Sequence, residues 1–330
     1  MSVYTPTPFA TPVVNPRVTS LYRHVPYVSC SDYRNAPTAV TTNDLVAGGT
    51  SPDQLASLAN TIYRASSWLD TICFHTSDGT LAASPSTETA YVKAKPGGAL
   101  SLICQYKPIL EVDAISIGVV PSQLQALDQN SANNLWIKGK TINLTAWSYP
   151  TSATNPPVAA FGYPVNNAGG LYACWVYVNG FPHMQLAANV TQGATTLTVL
   201  PSVPTGSEPY GVYGAPNSTQ LTIQDGTSTE VVVVKSVSGL VLTLESGTQY
   251  AHTVPQAPDS ILVTAIPRDV EQACISLTSS LIKMRGSRAM VMPQVPGAPV
   301  PRAAMAEAGG LEDYETAMAL LAPYSTVYMP

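Results

Sequence analysis

Apolar and polar positions alternate in two different periods along this chain, and the change of period divides it. From residue 52 the large apolar side chains fall at Leu55, Leu58, Ile62, Ala65, Leu69 and Ile72, in steps of three and four. That spacing predicts an amphipathic helix over about 52–74. Ser51, Pro52 and Gln54 precede it in the order of a capping box, with Ser51 as N-cap. Trp68 sits beside the stripe and is read as core. The same period returns at Val270, Ala273, Cys274, Leu277, Leu281 and Met284. It predicts a second helix over 267–285, opened by Pro267 and closed near Gly286. A third, shorter helix is expected over 311–322, with Leu311, Tyr314, Met318 and Leu321 on one face. Glu312, Asp313 and Glu315 lie in its first turn, where the helix dipole favours acids.

Between these helices the period falls to two. Residues 88–262 read as a β-rich insertion of hairpins. Pro96-Gly97-Gly98 is expected to join strands 90–94 and 100–104, and Gly139 to join 135–137 and 142–144. Asn179-Gly180 stops the strand 172–178. Asp225-Gly226 turns 220–223 into 230–234, and Ser238-Gly239 turns the chain again into 240–244. The valine run 231–234 is apolar at every position, which predicts a strand buried on both faces. Residues 1–50 carry Pro6, Pro8, Pro12, Pro16, Pro26 and Pro37 with no helical period, so they read as an extended arm. The expected fold is α+β: a small helical core of 51–87 and 263–330, interrupted by a β domain of 88–262, with a proline-rich N-terminal arm.

Composition narrows the class. Only 11% of the 330 residues are charged, where soluble domains carry about 25%, and 29 are proline. A surface so poor in charge suits a subunit that covers itself with neighbours. A net charge of −5 disfavours a nucleic-acid-binding face, although a channel that lets DNA slide without sticking is compatible with it. Cys30, Cys73, Cys104, Cys174 and Cys274 are widely spaced and read as buried, reduced thiols, in keeping with synthesis in a cytoplasm. No apolar run is long enough to span a bilayer and the first residues lack the pattern of a signal peptide. Motifs for phosphate, dinucleotide or zinc-hydrolase chemistry are missing from the sequence. His183 and His252 read as turn histidines bound to nearby backbone. No cofactor or metal is expected, and the chain is expected not to be an enzyme.

The two C-terminal helices carry a resemblance. Arg268-Asp269-Val270-Glu271-Gln272-Ala273-Cys274, Leu281-Ile282-Lys283-Met284-Arg285-Gly286-Ser287 and the closing Ala319-Leu320-Leu321-Ala322-Pro323-Tyr324 resemble head-to-tail adaptor (connector) proteins of long-tailed bacteriophages. The helix beginning Ser51-Pro52-Asp53-Gln54-Leu55 looks like that family's first helix. The likeness covers about a third of the chain, and typical members are half its length or less. It implies a virion protein made in the bacterial host cytoplasm and placed at the head–tail junction. There it would form a ring, usually a dodecamer, bound to the portal protein and to a neighbouring neck or tail-completion protein, with DNA passing through. Terminal segments commonly do the docking in this family. The residues so implicated here are Leu311, Tyr314, Met318, Leu321, Tyr324, Tyr328 and Met329. Another β-rich virion protein, such as a collar, tail terminator or decoration protein, is the alternative.

Overall fold

A computed structural model describes residues 25–73, 79–93, 99–118, 120–122, 124–127, 135–144, 170–201, 215, 218–226, 228–284 and 310–324. The fold mixes α and β, with more residues in strands than in helices. Two compact units divide the chain, one formed by residues 1–74, 78–82 and 181–330, the other by 75–77 and 83–180. The β-rich stretch therefore does not form one insertion: it breaks at Gly180, and its second half belongs with the helices.

In the larger unit the helices are α1 (Cys30–Asn35), α2 (Ser51–Cys73), α3 (Arg268–Lys283) and α4 (Leu311–Leu321). The apolar stripes do what their spacing requires. Leu58, Ile62, Ala65 and Leu69 of α2 meet Val270, Ala273, Cys274 and Leu277 of α3 in one core, closed by Ala317 and Leu321 of α4. Burying each large side chain contributes about 1.5–3 kcal/mol. Trp68 packs against this core and lies 5.5 Å, ring to ring, from Tyr314. The cap of α2 falls one residue earlier than its sequence suggests. Asp53 holds the start of the helix, with Thr50 N and Oγ1 both donating to its Oδ2 at 3.0 and 2.7 Å. Gln54 is instead buried and holds the preceding loop. Its Nε2 donates to Val46 O at 2.8 Å, and its Oε1 accepts from Val46 N at 2.8 Å.

The described part of the N-terminal region is not an extended arm. Val25, Tyr27, Val28, Cys30 and Tyr33 are buried, and α1 starts at residue 30. Ser29 caps it, accepting from Asp32 N at 2.9 Å and donating to Asp32 Oδ2 at 2.6 Å. Buried aromatic side chains outweigh the few prolines here, because Pro26 precedes the helix and Pro37 follows it. Residues 1–24 lie outside the described set.

The rest of this unit is a closed antiparallel barrel. Its strands are β8 (His183–Leu186), β9 (Thr196–Pro201), β10 (Gln220–Gln224), β11 (Glu230–Ser238), β12 (Val241–Leu244) and β13 (Leu262–Thr264), in the order β10-β11-β12-β9-β8-β13. The Asp225-Gly226 and Ser238-Gly239 turns form as expected, with Gly226 at φ 49° and Gly239 at φ 58°. The valine run, however, is buried on one face only. Val232 and Val234 point into the barrel, while Val231 is 58% exposed. Alternation follows from the pleat, and on the outer face Val233 is half-buried where Val231 is exposed.

In the smaller unit, β1 (Ser84–Lys93), β3 (Ile109–Gly118), β4 (Gln125–Ala126) and β7 (Gly170–Asn179) form one antiparallel sheet in the order β1-β7-β3-β4. A second sheet, ordered β2-β6-β5, holds β2 (Leu100–Ile103), β5 (Leu135–Lys138) and β6 (Thr141–Leu144). Both sheets contribute to one core around Trp175, Tyr177, Ile117, Leu102 and Ile142, which makes a sandwich. The hairpin expected across Pro96-Gly97-Gly98 is not formed: β1 pairs with β7 along its whole length and β2 pairs with β6. β2 belongs to the second sheet, and β1 keeps its other edge unpaired among the described residues. The β5–β6 hairpin forms as expected, with Gly139 at φ 61° in its turn.

Candidate docking surface

The C-terminal helix is the site to which the sequence points, and its inner face is committed to the fold. Ala317 and Leu321 are fully buried, and Tyr314, Met318, Leu320 and Tyr324 pack onto the same core. Two polar contacts fix α4 against α3. Ser280 Oγ donates to Gly310 O at 2.8 Å, and Lys283 Nζ lies 2.7 Å from Asp313 Oδ2. Gly310 is there because a Cβ would stand 3.0 Å from Ser280 O and from Met284 Cγ. Among the residues implicated by sequence, the structure brings Tyr314, Met318, Leu321 and Tyr324 together as packing groups. Leu311 is half-buried at the helix start. Tyr328 and Met329 lie outside the described residues.

Burial raises the Tyr314 phenol above its ordinary range. The Tyr324 phenol is raised as well, first by burial, then by Asp269 and Cys73 nearby. Tyr324 thus stands near the start of α3 and the end of α2. Glu312, Glu315, Thr316 and Ala319 form the exposed side of α4.

A set of polar contacts, most of them part-buried, joins distant parts of the larger unit. Asp259 Oδ1 accepts from Cys30 N at 2.9 Å and Oδ2 from Ser31 Oγ at 2.5 Å, anchoring α1 to the segment before β13. Asp32 Oδ1 accepts from Gly226 N at 3.1 Å, which ties α1 to the β10–β11 turn. Glu271 of α3 accepts from Gln224 Nε2 and Arg268 Nη1, each at 2.8 Å. Tyr27 donates to Asp70 through its hydroxyl, which in turn accepts from Leu81 N at 2.9 Å. Asp32, Asp70, Gln224 and Asp259 were not singled out by sequence reasoning. Ser29-x-x-Asp32 is the one local signal that marks any of them, as a helix start inside the supposed arm.

The two described histidines are structural. His183 is a buried strand residue whose Nδ1 lies 3.0 Å from Thr264 Oγ1 and whose Nε2 lies 3.1 Å from Pro26 O. His252 departs from its expected role. Its partners are carboxylates, Asp225 Oδ2 at 2.9 Å from Nδ1 and Glu230 Oε1 at 2.7 Å from Nε2. Glu230 also accepts from Gln249 N at 2.7 Å, so the cluster clasps the 248–252 loop to β11. With both ring nitrogens taken up, this histidine has none left to activate a nucleophile.

Four thiols, Cys30, Cys73, Cys104 and Cys274, are buried, and burial raises each of them. Cys73 and Cys274 reach about 12 and Cys104 about 11, so these three are protonated at neutral pH and poor nucleophiles. Among the described residues no group of His, Cys, Asp and Glu is arranged to hold a metal ion, and no helix is long and apolar enough to cross a membrane. No family model matches this chain, and no curated protein is similar to it.

Proposed function

We propose that this chain is a structural protein of a tailed-bacteriophage virion, forming a ring at the neck between the portal protein and a tail-completion or other neck protein. DNA passes through the ring without sequence-specific contact. The observation that carries this reading is the seating of α4. A short helix is fixed to a larger helical core by an apolar seam, an ion pair and a carbonyl contact. The three helices that make this core are those on which the resemblance rests. The low charge of the chain supports the same reading, since a surface of this kind is compatible with coverage by neighbours.

The packing sharpens which residues dock. Leu321, Met318 and Tyr314 serve the subunit's own core, so the docking surface is the outer side of α4 together with Tyr324, Tyr328 and Met329. Removing 311–330 would unmake the core, whereas removing 325–330 leaves α4 in place. The test is complementation of a phage lacking this gene with a chain ending at Tyr324. The reading expects filled heads and free tails that do not join. Infectious particles at the normal yield would count against it.

A second reading, a collar or decoration protein, draws on the predominance of strands and on the exposed Tyr91, Ile103 and Trp136 of the sandwich. Copy number separates the two: about a dozen per particle for a neck ring, and hundreds for decoration.

A further inference from the structure

The outer face of the β2-β6-β5 sheet combines an exposed indole, an oriented amide and unpaired lysines. Leu100, Leu102, Ile142 and Leu144 belong to the sandwich core, so the pleat turns Ser101, Ile103, Thr141 and Asn143 outward. On the edge strand β5, Leu135 packs on the core, while Trp136 and Lys138 take outward, exposed positions. Strand pairing sets these side chains in two rows, Ser101–Asn143–Trp136 and Ile103–Thr141–Lys138. Ser101 Oγ donates to Asn143 Oδ1 at 2.9 Å. That bond fixes the carboxamide and leaves its Nδ2 donors without a partner among the described residues, on the residue paired with Trp136. Lys138 and Lys140 make no ion pair among the described residues, and β2, β5, β6 and the β5–β6 turn contain no acid.

Area and charge choose the occupant. Three strands by two rows cover on the order of 200 Å². A stable protein interface buries roughly 800 Å² per partner, so the face is the size of a small ligand. A nucleic acid draws its affinity from neutralised phosphates, roughly six to ten of them, and two lysines supply too few. A sugar asks for what is present. Its C–H bonds, made positive by the neighbouring oxygens, pack on the negative face of an indole. Its hydroxyls take donors and acceptors such as Asn143 Nδ2 and Thr141 Oγ1. The unpaired lysines, with no acid on the sheet, add a demand for negative charge.

We propose that this face binds an acidic saccharide. A sugar ring lies on Trp136, its hydroxyls bond to Asn143 and Thr141, and its carboxylate or phosphate pairs with Lys138. The inference goes beyond the neck reading and does not rest on it.

The test is the full chain on an array of bacterial surface polysaccharides, neutral and acidic, with a single-stranded oligothymidylate alongside. Signal is expected on polysaccharides that carry uronate or phosphate groups. Trp136→Ala should lower it about tenfold. Lys138→Gln should lower it about threefold at low salt, a difference that fades as salt is raised. Both side chains lie outside the core, so neither substitution should move the thermal melt. No signal, or a signal indifferent to both substitutions, overturns the site. Binding to neutral polysaccharides alone overturns the acidic assignment, and tighter binding of the oligothymidylate overturns the saccharide. A neck location in the virion without array signal defeats this inference alone. Array signal with the chain elsewhere in the particle defeats only the neck reading.

Discussion

The barrel and the sandwich are built from the same kind of strand, yet they end their sheets differently. In the barrel, β13 pairs with both β10 and β8, so no strand has a free edge. Its core is aliphatic throughout, from Met184 and Leu197 to Val263. Among the described residues the sandwich keeps four edges, at β1, β4, β2 and β5, and fills its interior with Trp175 and Tyr177. It also leaves Tyr91 56%, Ile103 63% and Trp136 48% exposed. Open edges and exposed aromatic side chains are liabilities in a free monomer and assets in a subunit that meets others. The barrel is thus closed at every edge, although Val231 stays exposed on its outside, and the sandwich carries the open edges.

The largest expected effect lies in the sandwich interior. Trp175→Ala removes the largest fully buried side chain and should cost about 3–5 kcal/mol. Limited proteolysis should then cut within 83–180 while 181–284 stays protected. Cleavage of both regions at once would show that the two units do not stand apart. Leu242→Ala in the barrel should cost about 2–5 kcal/mol and lower the protection of the barrel and α3 together, read by hydrogen exchange. Loss of the barrel alone would mean it is not bound into the helices as described.

A smaller effect is expected at the join of barrel and α1. Gly226 sits at φ 49°, and a Cβ there would stand 2.6 Å from Asn35 Nδ2. Gly226→Ala should destabilise by about 1–2 kcal/mol in chemical denaturation. Adding Asn35→Ala should recover the steric part and leave the conformational part.

The smallest effect is the pH response of the same seam. Burial raises the Asp32 carboxyl above its ordinary range, as it does that of Glu271, where Arg268 offsets part of the rise. The folded state therefore holds these protons more tightly than the unfolded state. Their contribution is full below the ordinary carboxylate range and is lost as pH rises through the raised folded values. Asp32→Asn with Glu271→Gln should flatten the slope of melting temperature between about pH 4 and pH 7. An unchanged slope would place the response in other groups.

Legibility in the sequence followed the length of the repeat. Helices α2, α3 and α4 were readable because a stripe repeated over several turns leaves one way to bury itself. Turns at Gly139, Gly226 and Gly239 were readable because their backbone angles favour glycine. α1 was hidden by its length of six residues and by the prolines on either side of it, although Ser29-x-x-Asp32 marked its cap. The division at Gly180 was not readable, since hairpin signals report neighbours in sequence, and β1 chose β7 across some eighty residues. β8 and β13 are short, and closing the barrel depends on pairs that no local pattern encodes. α4 was read correctly as a helix, and Tyr314, Met318 and Leu321 of its stripe pack on the subunit's own core.

The most direct measurement of the central claim is gold-labelled antibody against this chain on intact virions, viewed by electron microscopy. The account predicts label confined to the head–tail junction at about a dozen copies per particle. Label spread over the capsid, along the tail or at its tip would contradict it.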